Sequence, residues 1–122
     1  MQDFRKLQVW RKSHALELQV YEKTATFPKS EMFSVTAQTR RAAVSIAANI
    51  AEGSARNGDK EFARFLYISM GSASELEYFS ILIADLGLLK NAEAAKIETD
   101  AAEIKRMLTG LIASLPSARS DS

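Results

Sequence analysis

The feature that most constrains this chain is a repeat in its middle: Phe62, Phe65, Ser69, Ser72, Leu76, Phe79, Ile83 and Leu86 recur at steps of three and four for more than three heptads. That spacing is one face of an α-helix, sustained too long for a strand and at the step a bundle seam uses. A helix of this length cannot cover its own apolar face, so the rest of the chain must supply further helices. Composition agrees, because only 5 Gly and 2 Pro interrupt 122 residues.

Three more periodic stretches surround it. Leu7, Trp10, His14, Leu18 and Tyr21 predict a first helix over about 5–26, ended by Phe27-Pro28, because the residue before proline is biased out of the α region. Ser30 is placed to cap a second helix over about 31–53, with Glu31 in its first turn. Its apolar set (Val35, Ala42, Ala43, Ile46, Ala47 and Ile50) is wider than one stripe, and Ala48 and Ala51 add small side chains, so neighbours are expected on two sides. Gly53 is read as a left-handed helix stop, 54–58 as a polar connector, and Asp59 as the cap of the third helix. Gly87 ends that helix, and Asn91 caps a fourth carrying Ile97, Ala101, Ile104, Leu108, Leu111 and Leu115. Short connectors make neighbouring helices antiparallel. The expected fold is therefore all-α, an antiparallel up-down four-helix bundle over residues 1–116, with a frayed tail at 117–122. Trp10, Phe62, Phe65, Leu76, Phe79, Ile104 and Leu108 are expected inside.

Several chemistries lack their residues. No Cys occurs and His14 is the one histidine, so thiolate sites and the paired Glu-x-x-His motifs of di-metal bundles are absent from the sequence. Glu17, one turn from His14, could share a metal with it, but a packed or capping histidine is the simpler reading. Glu75 and Glu77, two apart, point to different helix faces and cannot act as a catalytic pair. There is no phosphate-cradling glycine loop and no nucleophile elbow. No catalytic residue, cofactor or metal is expected. No apolar run approaches the roughly 18 residues of a membrane span, and the charged N-terminus is unlike a secretion signal, so a cytoplasmic location is expected.

What remains is binding. Net charge is only +1, but residues 1–64 hold 11 Lys/Arg against 7 Asp/Glu and residues 65–122 hold 5 against 8. Arg40, Arg41, Arg56, Lys60 and Arg64, supplemented by Arg11 and Lys12 and by Arg5 and Lys6, form the candidate nucleic-acid-binding set. The guanidinium fork suits phosphate. A polar ridge on helix two, Gln38, Arg41, Ser45, Asn49 and Glu52, calls for partners on helix three if it is buried. An antiparallel pairing in which facing residue numbers add to about 113 brings Gln38 toward Glu75, Arg41 toward Ser72 or Glu75, and Asn49 and Glu52 toward Arg64. A structural network of these residues is the alternative to a nucleic-acid surface. The excess of small and apolar residues on helix two also predicts a homo-oligomer formed through helices one, two or three.

Phe4-Arg5-Lys6-Leu7-Gln8-Val9-Trp10, Phe27-Pro28-x-x-Glu31, Gln38-x-Arg40-Arg41-Ala42-Ala43-x-Ser45-Ile46-x-x-Asn49-Ile50-Ala51-Glu52-Gly53 and Gly71-Ser72-x-x-Glu75-Leu76-Glu77 resemble the bacterial four-helix-bundle proteins encoded in intervening sequences of 23S ribosomal RNA genes. The resemblance spans about residues 4–90, and its Arg-Arg to Glu-Gly block is specific. It implies a closed bundle assembling as a homopentamer. It also implies kinship with the accessory bundle of diversity-generating retroelements, which binds nucleic acid and a nucleic-acid enzyme.

Overall fold

The computed structural model describes residues 3–116 and contains four long helices: α1 (Gln8–Thr24), α2 (Ala37–Ser54), α3 (Asp59–Asp85) and α4 (Asn91–Ala113). Among the described residues there is no β-strand. The tail expected to fray lies outside the described residues. α2 packs on α3 and α3 on α4, while α1 closes the bundle against α2 and α4. The chain is a closed antiparallel four-helix bundle.

The helix boundaries follow from local chemistry. Phe4–Lys6 is a separate 3₁₀ turn, not the first turn of α1, because the Asp3 carboxylate accepts the Arg5 amide at 3.1 Å and caps it there. Ser30 does not cap α2. A 3₁₀ turn (Lys29–Glu31) and a π turn (Met32–Thr36) intervene, with Ser34 at φ −120, ψ −108. The Ser34 hydroxyl donates to the Glu31 carboxylate at 2.9 Å. The backbone kinks at Ser34, and past the kink Val35 and Thr36 are buried, while Phe33 just before it is exposed. Asp59 and Asn91 are first helical residues, one position inside the capping positions expected of them.

Two glycines change role. Gly53 is not a left-handed stop: it lies inside α2, where an added Cβ would stand 2.7 Å from the Phe65 Cβ. Glycine there lets the start of α3 approach α2. Gly87 is the stop the sequence predicts, at φ 71, with its amide on the Ala84 carbonyl and that of Leu88 on the Ile83 carbonyl, each at 3.0 Å.

The seam of α3 is buried from Phe62 through Ile83, whereas Leu86 stands in solvent past the helix end. Phe62, Phe65, Leu76, Phe79, Ile104 and Leu108 are inside as expected, but Trp10 is only partly buried. The face of α1 differs from the expected one. Val9, Ser13, Leu16, Val20 and Thr24 line the core, while Leu18 and Tyr21 are exposed. Ser13 and Thr24 tolerate burial because their hydroxyls donate to the Val9 and Val20 carbonyls at 2.7 and 2.8 Å. Thr39 and Ser80 do the same on α2 and α3.

Candidate binding surfaces

The polar ridge of α2 meets α3 through hydroxyls. Ser45 and Ser72 share a hydrogen bond at 2.7 Å, and Asn49 donates to both the Ser45 carbonyl, at 2.9 Å, and its hydroxyl, at 3.0 Å. One turn on, Ser69 donates across the interface to the Ile46 carbonyl at 2.9 Å. These bonds set a register two to four residues beyond the expected one. Gln38, Arg41 and Glu75 line one groove with Ala42, Ser45 and Phe79. Arg41 and Glu75 thus share a side of the bundle, yet both are exposed and their side chains make no ion pair or hydrogen bond among the described residues. Glu52 does not reach Arg64. It pairs with Arg56 at 2.8 Å, and Arg64 pairs with Glu61 at 3.2 Å. The network therefore consists of Ser45, Asn49 and Ser72, with Ser69 added by the structure.

The cationic set divides in two. Because α2 runs antiparallel to α1 and α3, the connector residues Arg56, Lys60 and Arg64 lie toward the end from which α1 starts, the side of Arg5, Lys6 and Arg11, whereas Lys12 reaches Asp100 in the middle of α4. Arg40 and Arg41 lie near the other end of α2, about 22 Å from Arg56 by helical rise. They cannot belong to one patch.

At the connector end most charges are already partnered. Arg5 binds Asp3 at 3.2 Å and the Arg11 Nε donates to the Arg5 carbonyl at 2.8 Å, while farther along α1 Lys12 lies 3.6 Å from Asp100. The hydrogen bond from Arg64 holds the Glu61 carboxyl below its ordinary range, and the same bond raises Arg64. The guanidiniums of Arg56 and Arg64 also lie over the Phe65 ring, at 5.1 and 4.5 Å from its centroid. They keep exposed edges.

At the other end Arg40 lies 4.7 Å over the Tyr21 ring and donates to the Thr24 hydroxyl at 2.8 Å, with no carboxylate partner among the described residues. His14 stacks on Trp10, ring centroids 5.0 Å apart, and lies 3.7 Å from Glu17. Its ring is stacked on one side and half exposed to solvent. Among the described residues no group of three His, Cys, Asp or Glu side chains is placed to hold a metal.

The sequence reading missed the apolar surface. Leu18 and Tyr21 of α1 and Met32 and Phe33 of the π turn stand exposed, Phe33 by 95%, as do Tyr67, Ile68, Tyr78 and Ile81 on α3. The signal was present: Tyr67, Gly71, Ser74, Tyr78 and Ile81 step by three and four along the α3 face opposite the seam, large side chains on either side of two small ones.

The described residues form a closed helical bundle with a polar network between two helices and with apolar and cationic side chains exposed on its surface. Residues 5–110 match the model of the 23S rRNA-intervening sequence protein family, and the chain belongs to that family. Among solved structures it resembles a protein of unknown function from the S23 ribosomal protein family of Bacteroides thetaiotaomicron VPI-5482. That match has 25% identity and a TM-score of 0.76, over 85% of this chain and 97% of that one. No functionally curated protein matches. Among the described residues no helix is long and apolar enough to cross a membrane.

Proposed function

We propose that this protein is a non-enzymatic, self-assembling bundle whose copies associate through α1–α3 and whose assembly binds nucleic acid or a nucleoprotein partner in the cytoplasm. The observation that carries self-assembly is the set of large apolar side chains in solvent on these helices and the turn before α2, with Phe33 95% exposed. Tyr21, Met32 and Phe33 line one groove, and clustered apolar surface on a folded chain marks an interaction site. Five subunits is the stoichiometry proposed, on the family resemblance, as is kinship with retroelement accessory bundles.

Nucleic-acid contact is supported by Arg56, Lys60 and Arg64 about the α2–α3 connector together with Arg5, Lys6 and Arg11 where α1 begins. A ring of copies would repeat that set several times around an axis. Light scattering tests assembly, and a monomer at micromolar concentration would reject it. Binding of labelled single-stranded and duplex RNA, titrated with salt, tests the second part. Phosphate contacts make affinity fall steeply with salt, and replacing Arg56 and Arg64 by alanine should flatten that slope. The second reading, a scaffold for another protein with no nucleic-acid contact, is favoured by the carboxylate pairing of Arg5, Arg56 and Arg64. Absence of RNA binding at low salt would select it.

A further inference from the structure

The connector between α2 and α3 holds the one asparagine of this sequence that is followed by glycine. Of the three asparagines, Asn49 lies inside α2 ahead of Ile50, its carboxamide bonded to the Ser45 carbonyl and hydroxyl, and Asn91 opens α4 ahead of Ala92. Asn57 instead precedes Gly58 in a bend between helices, and both residues are exposed. Neither the Asn57 carboxamide nor the Gly58 amide makes a hydrogen bond among the described residues. Gly58 takes φ 87, a conformation that favours glycine, and a Cβ built on it would meet nothing within 4 Å. The turn thus calls for glycine on its own account, and glycine leaves the amide nitrogen after Asn57 with no side chain to shield it.

An asparagine in this setting can react with its own backbone. The Gly58 amide nitrogen, after giving its proton to water, attacks the Asn57 carboxamide carbon and forms a new C–N bond. The bond to the side-chain nitrogen breaks, and that nitrogen leaves as ammonia with a proton from solvent, closing a cyclic imide. Water then adds to either imide carbonyl and breaks that carbonyl's bond to the ring nitrogen. Opening at the side-chain carbonyl gives aspartate, and opening at the backbone carbonyl gives isoaspartate. Water is consumed, ammonia is released, and nothing is oxidised or reduced. Inside a helix the attacking nitrogen is held in the backbone ladder, as it is after Asn49, and the reaction is suppressed.

We propose that Asn57 is a self-modification site, converting through this imide to aspartate and isoaspartate, and that the new carboxylate weakens the connector's hold on phosphate. From Ser54 to Arg64 the chain carries three cations, Arg56, Lys60 and Arg64, against two carboxylates, Asp59 and Glu61. A carboxylate at position 57 removes that excess. It also adjoins Arg56, which already pairs with Glu52 at 2.8 Å, and competes with phosphate for that guanidinium. The bundle tolerates the change, because position 57 lies just ahead of α3, whose N-terminal end favours negative charge and has no side-chain cap. The modification stands on the geometry of the connector alone, while its effect on binding rests on the nucleic-acid contact proposed above.

The full chain is incubated in heavy-oxygen water at mildly alkaline pH and physiological temperature, beside a synthetic peptide of sequence Arg56-Asn57-Gly58-Asp59-Lys60. Trypsin, which cuts after Arg56 and Lys60, then isolates the site. Mass spectrometry should show the Asn57 peptide exchanging its amide for an acid that carries a heavy oxygen, and an isoaspartate-specific methylation should label it. Asn49 and Asn91 should remain amides, as should the Asn57→Gln variant, whose longer side chain closes the ring far more slowly. Asn57 that stays an amide while the synthetic peptide converts, or conversion of Asn49 or Asn91 at the same rate, would overturn the modification. The charge effect is read by titrating labelled single-stranded RNA with salt, with circular dichroism checking each fold. Asn57→Asp should bind more weakly than wild type, its slope of log affinity on log salt reduced by up to about 0.7, and Asn57→Gln should match wild type. Asn57→Asp binding like wild type would overturn the charge effect and leave the modification standing. A wild type that binds no RNA at low salt would overturn the nucleic-acid reading and the charge effect together, with the modification still decided by the mass measurement.

Discussion

Replacing Gly53 by alanine should destabilise the bundle, although the same change at most exposed helical glycines does the opposite. The added Cβ would stand 2.7 Å from the Phe65 Cβ, 3.1 Å from the Phe62 Cδ1 and 3.3 Å from the Phe62 carbonyl oxygen. Carbon atoms pack at about 3.5–4.0 Å, so Phe65 would have to move by about 1 Å. A Cβ is tied to its backbone and cannot swing aside, so the start of α3 must shift with it. Overpacking of this kind costs about 1–3 kcal/mol, and a backbone-tethered obstacle argues for the upper half of that range. Alanine recovers up to about 1 kcal/mol through helix propensity. The net loss expected is about 1–2 kcal/mol, a fall in Tm of about 3–12 °C for a chain of this size. Gly110 in α4 is the control, since a Cβ there meets nothing within 4 Å. Gly110→Ala should gain about 0.5–1 kcal/mol. Urea unfolding of both variants and wild type at one protein concentration measures the difference, because assembly makes stability concentration-dependent. Gly53→Ala equal to or more stable than wild type would refute the close-approach account.

Leu76 is fully buried on the α3 seam, so Leu76→Ala should cost about 2–5 kcal/mol in the same assay; a loss under about 1 kcal/mol would contradict its placement. Glu75→Gln, expected to be severe if Arg41 and Glu75 formed a buried pair, should instead change stability by less than about 1 kcal/mol, because Glu75 is exposed and makes no ion pair among the described residues. The pair between α1 and α4, Lys23 Nζ to Glu93 Oε2 at 2.7 Å, gives a pH dependence. The hydrogen bond from Lys23 lowers the Glu93 carboxyl and, in return, raises Lys23. A lowered carboxyl binds fewer protons in the folded state than in the unfolded one, so its contribution is present above the ordinary Glu value and is lost as pH falls through the folded value. Glu93→Gln should therefore lower stability slightly at neutral pH, leave it unchanged well below the ordinary Glu range, and so flatten the acid limb of a stability–pH profile; an unaltered acid limb would show that the pair is not held in solution.

The sequence by itself determined the fold class and most of the core. The α3 and α4 seams are built from Phe, Leu and Ile at three-four steps, and burying such side chains against a neighbour is the dominant favourable term whatever the topology. The α3–α4 turn was legible for a similar reason, since Gly87 adopts a conformation that suits glycine and stops a helix locally. The separation of Arg40 and Arg41 from Arg56 was also computable from the length of helix two.

Other features were decided only in three dimensions. Helix one carries two candidate stripes, and the one with Trp10, Leu18 and Tyr21 is the more apolar in sequence. Ser13 and Thr24 nevertheless go inside, because their hydroxyls are satisfied on their own helix and their small volume suits a close neighbour. Gly53 was read from its φ freedom, while its actual constraint is the Phe65 side chain, 12 residues away in sequence and packed against it. Whether Arg41 and Glu75 meet depended on the α2–α3 register, which the Ser45–Ser72 and Ser69–Ile46 bonds set. The projection of Phe33 goes with the backbone kink at Ser34, which no periodicity shows. Periodicity reports which residues share a helix face; only packing against the other helices determines which face is covered and which is left for a partner.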